Sequence, residues 1–241
     1  MKPAPAELLP WDTQFFGLRI GRVNPGPFMP STVETWRREN RVRCLYYLAE
    51  LTDMPSIHAA QDAGFHLVDI RTTFTIPLPI APHILPATTS IRLAVETDLP
   101  SMQEMTAGSY VHSRFFHDPH FPRAKCDEMY AIWVEKQFHQ AEAAIWVTED
   151  ASGVLGFVTV VELSPHCTSI SLIGIAERAR GQGLGKALVN HVLRESSRRG
   201  YQALEVVTQA RNTGAMHLYQ SCGLQMVLQQ AWLHGWCEEG E

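Results

Sequence analysis

The chain has no run of apolar residues near the ~20 that a bilayer-spanning helix needs, and its opening, Met1-Lys2-Pro3-Ala4-Pro5-Ala6-Glu7, has no apolar core of signal length. A helical membrane protein is excluded, and the expected location is the cytoplasm. Metal-ligand spacing is missing as well. The five cysteines (44, 126, 167, 222 and 237) form no CxxC pair, and the eleven histidines form no HxxxH or HExxH. Reduced thiols and no metal are therefore expected. Nor is there a large charge of one sign: the net value of −5 argues against a nucleic-acid or anionic-membrane partner. The remaining composition, 45% hydrophobic and 19% charged, is that of an ordinary globular protein.

What the chain does have is a glycine-rich turn between a strand and a helix. Ile173-Gly174-Ile175 reads as the end of an apolar strand, Gly181, Gly183 and Gly185 alternate, and a helical pattern follows in Leu184, Ala187, Leu188, His191 and Val192. Such a turn leaves backbone N–H groups unpaired at the positive end of a helix dipole. That is an anion site, suited to a phosphate or pyrophosphate. Residues 177–199 also carry four more positive than negative charges although the whole chain is acidic. A Walker loop is excluded because Gly185-Lys186 is followed by Ala187 and not by a hydroxyl residue. The dinucleotide motif GxGxxG is excluded because Lys186 stands where its third glycine belongs.

The remaining pattern, Arg180-x-x-Gly183-x-Gly185, resembles the Arg/Gln-x-x-Gly-x-Gly signature of the GNAT superfamily of N-acetyltransferases. The resemblance implies acetyl-CoA as co-substrate, with Arg180, Gly181, Gln182, Gly183, Leu184, Gly185 and Lys186 around its pyrophosphate. It also implies an α/β fold: a central mixed, mostly antiparallel sheet flanked by helices. Glu177 and Arg178 depart from the family, which often has proline and a neutral residue there.

Four prolines within residues 77–86 exclude a helix or central strand. They divide the chain into an N-terminal α/β domain (1–78), a linker (79–90) and a catalytic domain (91–241). The catalytic part reads as a strand near Ile91–Val95, a helix from Thr97 or Asp98, a loop at Ser113–Pro122 and a helix over 123–140. Strands near 144–149, 154–163 and 168–175 follow, then the glycine turn and a helix to Arg199, stopped by Gly200. A strand at Leu204–Thr208, a helix capped by Asn212 and a last strand over 224–236 complete it. With an offset of 159, residues 45–68 align without gaps on 204–227: Asp53 falls on Asn212, Gln61 on Gln220 and Gly64 on Gly223. The N-terminal domain is thus expected to be half of a GNAT-like fold. It lacks the glycine turn and has Ala60 in place of Tyr219, so it holds no second active site.

By the same resemblance, Asn212 contacts the pantetheine arm, backbone groups around Ile173 and Ile175 pair with the pantetheine amides, and Tyr219 is the general acid. A phenol can protonate the departing thiolate. For the base, Glu162, Glu205, His166, His112 and His117 all compete with a water chain, and Glu162 is the first choice because it ends an apolar strand. Segments such as Leu9-Pro10-Trp11-Asp12-Thr13, Ser113-Arg114-Phe115, Trp133-Val134-Glu135 and Ala231-Trp232-Leu233-His234 resemble more narrowly the TDP-fucosamine acetyltransferases. That resemblance implies a small-molecule amine acceptor on a nucleotide sugar. Arg114 and Arg123 would meet its diphosphate, and Phe115 would stack on base or sugar. A protein N-terminus, a polyamine or another small amine are alternative acceptors, and a non-catalytic acyl-CoA sensor is the alternative outside enzymes. The aromatic C-terminal strand, read as exposed, suggests a homodimer.

Overall fold

Prolines end helices in their interior but fit the first turn, where no backbone N–H is needed; Pro10, Pro30, Pro55 and Pro100 each open one. A computed structural model describes residues 4–79 and 90–237. In chain order its elements are β1 (Ala6–Leu8), α1 (Pro10–Phe16), β2 (Ile20–Val23), α2 (Pro30–Glu39), β3 (Cys44–Glu50), α3 (Met54–Asp62), β4 (Phe65–Pro77) and β5 (Ile91–Leu93). Next come α4 (Leu99–Thr106), α5 (Arg114–His117), α6 (Arg123–Phe138), β6 (Ala143–Asp150), β7 (Gly153–Ser164) and β8 (Cys167–Ile175). The last are α7 (Leu184–Arg198), β9 (Ala203–Gln209), α8 (Thr213–Ser221) and β10 (Gln225–Trp236). The expected loop at Ser113–Pro122 holds the single helical turn α5, and a 3-10 turn over Glu96–Asp98 precedes α4.

Two compact units form. Met1–Arg71, Ser113–Phe121 and Gln229–Glu241 make the first; Thr72–His112 and Pro122–Leu228 make the second. The linker read at 79–90 lies, apart from its two ends, outside the described residues. The units divide the chain elsewhere: residues 72–79 go with the second unit, whereas α5 and most of β10 go with the first.

In the first unit the strand order is β1–β2–β3–β10. β2 runs parallel to β3 and antiparallel to β1, and β10 runs antiparallel to β3. Its core joins Phe28, Leu45, Tyr47, Ile57, Phe65 and Leu233. In the second unit the order is β4–β9–β8–β7–β6–β5. β8 is parallel to β9, and the β5–β8 ladder is antiparallel. The apolar stripe of α7, Leu188, Val189, Val192 and Leu193, packs there with Phe74, Leu204 and Val206. Each such fully buried side chain contributes about 1.5–3 kcal/mol.

The offset of 159 reappears in the element boundaries. β3, α3 and the glycine stop Gly64 begin and end at the positions of β9, α8 and Gly223. Asp53 caps α3 by accepting the Ser56 N–H (3.2 Å), and Asn212 caps α8 by accepting the Ala215 N–H (3.1 Å). Gly64 and Gly223 both have φ in the left-handed region, +82° and +91°. The parallel ladders start at matching residues, Ile20 with Cys44 and Cys167 with Ala203. Each unit then completes its sheet with the strand that follows the other unit's helix: β10 lies on β3, and β4 on β9. On the C-terminal strand, read above as exposed, Ala231, Leu233, His234 and Gly235 are buried.

The first unit also buries a charge. The Asp118 carboxylate, 2% exposed, faces His234 Nδ1 at 2.6 Å and accepts the Trp236 Nε1–H at 2.8 Å. It accepts the His120 backbone N–H at 3.0 Å as well. On the far side of the imidazole, Arg114 Nη1 lies 2.8 Å from His234 Nε2. A guanidinium can only donate, so Nε2 must accept and the proton sits on Nδ1: His234 is neutral. Burial lowers its pKa to about 4, against the opposing hydrogen bond to Asp118, while Arg114 and His120 add to the lowering. In the unfolded chain histidine titrates near 6.5, so the unfolded state binds more protons between these values. The stability that neutral His234 provides is complete above pH 6.5 and lost as pH falls toward 4, by up to about 3 kcal/mol. Thermal unfolding followed from pH 7.5 to 4.5 should show Tm falling most steeply in that window, and His234→Gln should flatten the profile. An unchanged slope in the variant would remove His234 as the cause.

Candidate active site

The site begins with the departure of β8 from β9. The two strands pair only over Cys167–Ile170 and Ala203–Val206. On the other side of β8 the register with β7 slips between Thr159 and Val160, whose partners are Leu172 and Ile170, so Ser171 has no opposite number. At that bulge the Leu172 N–H bonds to Thr159 Oγ1 (2.9 Å). An inserted residue bends its strand and disrupts the ladder locally. Beyond it, Ser171–Ile175 have no ladder partner on β9. Gly174 is required here, because a Cβ would overlap the ring of Phe157 directly across on β7.

A cleft of about 800 Å³ opens where the strands part, bounded by Ile170–Ile175, Val206–Gln209, the glycine turn and α8. Gly181 and Gly183 adopt φ of +75° and +79°, a backbone that side chains strain. Gly183 is the N-cap of α7 and no side chain supplies a capping bond. The first-turn N–H groups are thus left for a ligand. Gly185 faces α8: a Cβ there would sit 3.3 Å from Leu218 Cδ2, so the third glycine allows the two helices to approach.

Ile173, Ile175, Arg180, Gly181, Gly183, Leu184, Gly185, Asn212 and Tyr219 all line this cleft. Gln182 and Lys186 do not; the Gln182 amide turns back onto the Arg178 carbonyl (3.2 Å). Tyr219 is 3% exposed, and burial holds its phenol pKa well above 10, with Cys222 adding to it. It stays protonated near neutral pH and can only give a proton.

Glu162 is not at the cleft. β7 runs antiparallel to β8, so its C-terminal end lies beside Thr168, where β8 and β9 are still paired, and not beside the turn that follows Ile175. The carboxylate is exposed and accepts the Tyr201 hydroxyl (2.7 Å). The expectation that it serves as base is withdrawn on that ground. Of the other groups weighed, Glu205 faces Ser169 in the paired stretch, His166 lies in the exposed β7–β8 turn, and His117 belongs to the first unit. His112 does line the cleft.

Arg114 and Phe115 belong to the first unit and are not among the cleft walls. Phe115 is 3% exposed and packs against Phe16, Tyr46 and Phe121, so it has no open face on which a base could stack. Arg123, the first residue of α6, is not on the cleft wall either. Among the described residues no cluster of histidine, cysteine or carboxylate side chains could hold a metal, and no helix is long and apolar enough to cross a membrane.

Sequence reasoning missed Tyr110, Tyr130 and, as a wall residue, Trp133. The Tyr110 hydroxyl donates to the Ile173 carbonyl (3.1 Å) and its ring stacks on Tyr130 at 4.2 Å. The nearest signal was Tyr110 in the segment Gly108–His112, which follows α4 without any motif.

A strand parted from its parallel neighbour, ending in a glycine-lined helix start with a buried phenol opposite, defines a class. Residues 110–224 match the Acetyltransferase (GNAT) family. The chain carries a GNAT acetyltransferase domain and is an N-acetyltransferase, of a family whose co-substrate is acetyl-CoA. Over nearly its whole length it is similar to a dTDP-fucosamine acetyltransferase of Escherichia coli O6:H1, with 26% identity over 96% of this chain and 98% of the relative. It is also 21% identical, over 58% of this chain and 48% of the relative, to the spore coat polysaccharide biosynthesis protein SpsD of Bacillus subtilis. A solved GCN5-related N-acetyltransferase from Sphaerobacter thermophilus shares the fold, with a TM-score of 0.68 at 17% identity over 98% of this chain and 77% of that one.

No atom lies within 4 Å of the Cβ that Gly183 lacks, so Gly183→Ala tests backbone conformation alone. A left-handed alanine costs about 1–2 kcal/mol. If the ligand-free turn relaxes to relieve that strain, binding must restore it, and calorimetric titration should show acetyl-CoA affinity falling by roughly 5- to 30-fold. Unchanged affinity would detach the turn from the pyrophosphate.

Proposed function

We propose that this protein transfers the acetyl group of acetyl-CoA to the amino group of a nucleotide-linked amino-deoxy sugar. The carrying observation is the unpaired edge of β8, Ser171–Ile175, which leads into the Gly181–Gly185 turn with Tyr219 in the same cleft. In this reading pantetheine amides pair with backbone groups around Ile173 and Ile175, Asn212 adds a contact, and the first-turn amides of α7 take the pyrophosphate. A backbone N–H of the free edge polarises the thioester carbonyl. Tyr219, which burial keeps protonated and which lines the same cleft, protonates the departing sulfur. His112 receives the proton of the attacking amine, as the one group among those weighed as base that lines the cleft.

The acceptor assignment draws on the full-length similarity to the dTDP-fucosamine acetyltransferase, at 26% identity. A polysaccharide biosynthesis protein among the relatives points the same way. In this reading the reaction takes place in the cytoplasm, where the five cysteines would stay reduced. The first unit is read as half of the same fold, without a site of its own. Its loop between β2 and α2 carries Pro25 and Pro27, which have no N–H to offer, where the second unit has its glycine turn.

Release of free thiol from acetyl-CoA tests the reading directly. The acceptors to compare are a dTDP-4-amino-4,6-dideoxy sugar, the same sugar without the nucleotide, a polyamine and a short peptide. Turnover that depends on the nucleotide is expected; turnover with the polyamine or peptide alone would discard the acceptor class and keep the chemistry. Tyr219→Phe should lower kcat by about 10²–10⁴-fold while acetyl-CoA affinity stays as it was. Equal kcat in the variant would end the general-acid role.

A further inference from the structure

The cluster around Arg114 contains far more than packing the segment requires. Its guanidinium carbon lies 4.1 Å from the ring centre of Tyr46, 4.2 Å from that of Phe115 and 4.3 Å from that of Trp232. Cation–π contacts of this kind hold a guanidinium in place without neutralising it. The counter-charge is kept at one remove, since Asp118 reaches Arg114 only through the neutral imidazole of His234. A direct carboxylate–guanidinium pair would anchor the segment at least as well and would occupy the donor fork. Among the described residues Arg114 makes no such pair. Asp12, the other carboxyl near it, contacts the Tyr46 hydroxyl at 3.5 Å instead. Arg114 itself is only partly buried, whereas His234 and Asp118 behind it are 0% and 3% exposed.

We propose that Arg114 is the centre of a phosphate-binding site in the first unit, with His234 and Asp118 as positioning residues. The arrangement suits an anion that brings its own charge: an oriented, always-charged planar fork, cradled by rings, with one N–H committed to His234, another turned to the Tyr46 hydroxyl and no carboxylate on the fork. Neutral His234 accepts that N–H and donates to Asp118, so the imidazole fixes the rotation of the guanidinium and adds no competing charge. A phosphoryl group matches the fork in shape and charge, and a nucleoside diphosphate presents two. The diphosphate of the acceptor named above and a free nucleotide share this chemistry. The site itself therefore goes beyond the acetyl-transfer reading and does not depend on it.

The test is calorimetric titration of the full chain at pH 7.5 with thymidine diphosphate and, separately, inorganic pyrophosphate. Saturating coenzyme A keeps the glycine turn filled in both. Binding of at least one probe is expected. Arg114→Gln should weaken it by more than about tenfold, Arg114→Lys by less, and His234→Gln by several-fold although it touches no ligand. Coenzyme A affinity, unchanged in each variant, reports that the chain is folded. No binding by either probe to the wild type, or equal binding by Arg114→Gln, overturns the proposal. Should His234→Gln not fold, Arg114→Lys against Arg114→Gln still separates fork geometry from charge. Thymidine diphosphate that binds tighter than pyrophosphate and competes with the sugar acceptor identifies the acceptor's own diphosphate as the ligand; equal binding without competition identifies a free phosphate. If the nucleotide sugar is not acetylated while pyrophosphate binds at Arg114, the acceptor reading falls and the site stands. If it is acetylated with the same KM by Arg114→Gln, and the probes bind that variant as tightly, the site falls and the acceptor reading stands.

Discussion

Everything at the cleft depends on one interruption of hydrogen bonding. β8 accepts β9 for four residues and then leaves it. A parallel pair that continued would satisfy the backbone of Ser171–Ile175 internally, and no strand-like ligand could be added. The bulge at Ser171 and the ring of Phe157 beneath Gly174 set where and how β8 bends. The bend gives the cleft its width, its unpaired edge and its exit at the glycine turn. Tyr110 reaches that same edge at Ile173, and its Tyr130 stack makes the opposite wall a rigid aromatic surface.

The repeat shows how little is needed to separate a site from a scaffold. β3–α3 and β9–α8 share boundaries, Asx caps and glycine stops. Only the second copy follows a strand that leads into a glycine turn and puts a phenol on its helix; the first has prolines in the preceding loop and Ala60, fully buried, at the corresponding helix position. With the strand after each helix completing the other sheet, neither copy finishes its own unit. Chain segments far apart in sequence are thereby tied to one another, and a simple cut at the prolines does not follow the units.

The buried Asp118 illustrates the opposite strategy to the cleft. There, donors are left open for a ligand; here, a carboxylate removed from water is surrounded by donors from His234, Trp236 and His120. Burial by itself would raise its pKa, and the hydrogen bonds outweigh that effect, so the group remains ionised. Isolated burial of such a charge would be prohibitive. The residues that satisfy it come from the turn after α5 and from β10, segments more than a hundred positions apart.

Local signals were legible in the chain itself. The alternating glycines, the Asn212 cap, the stops at Gly200 and Gly223 and the placement of Tyr219 on α8 each depend on a few neighbouring residues, because turns, caps and helix faces are set by short-range sterics and hydrogen bonds. Tertiary structure alone decided the rest. Glu162 looked like a cleft residue because it ends an apolar strand, but the antiparallel course of β7 carries that end away from the turn. Phe115, which the chain offers as a stacking ring, is core, and Arg114 takes its orientation from Tyr46, Trp232 and His234, partners no spacing rule connects. Direction of pairing and long-range contact are properties of the folded sheet, since a strand's own residues specify its two faces but not which end of a neighbour it will meet.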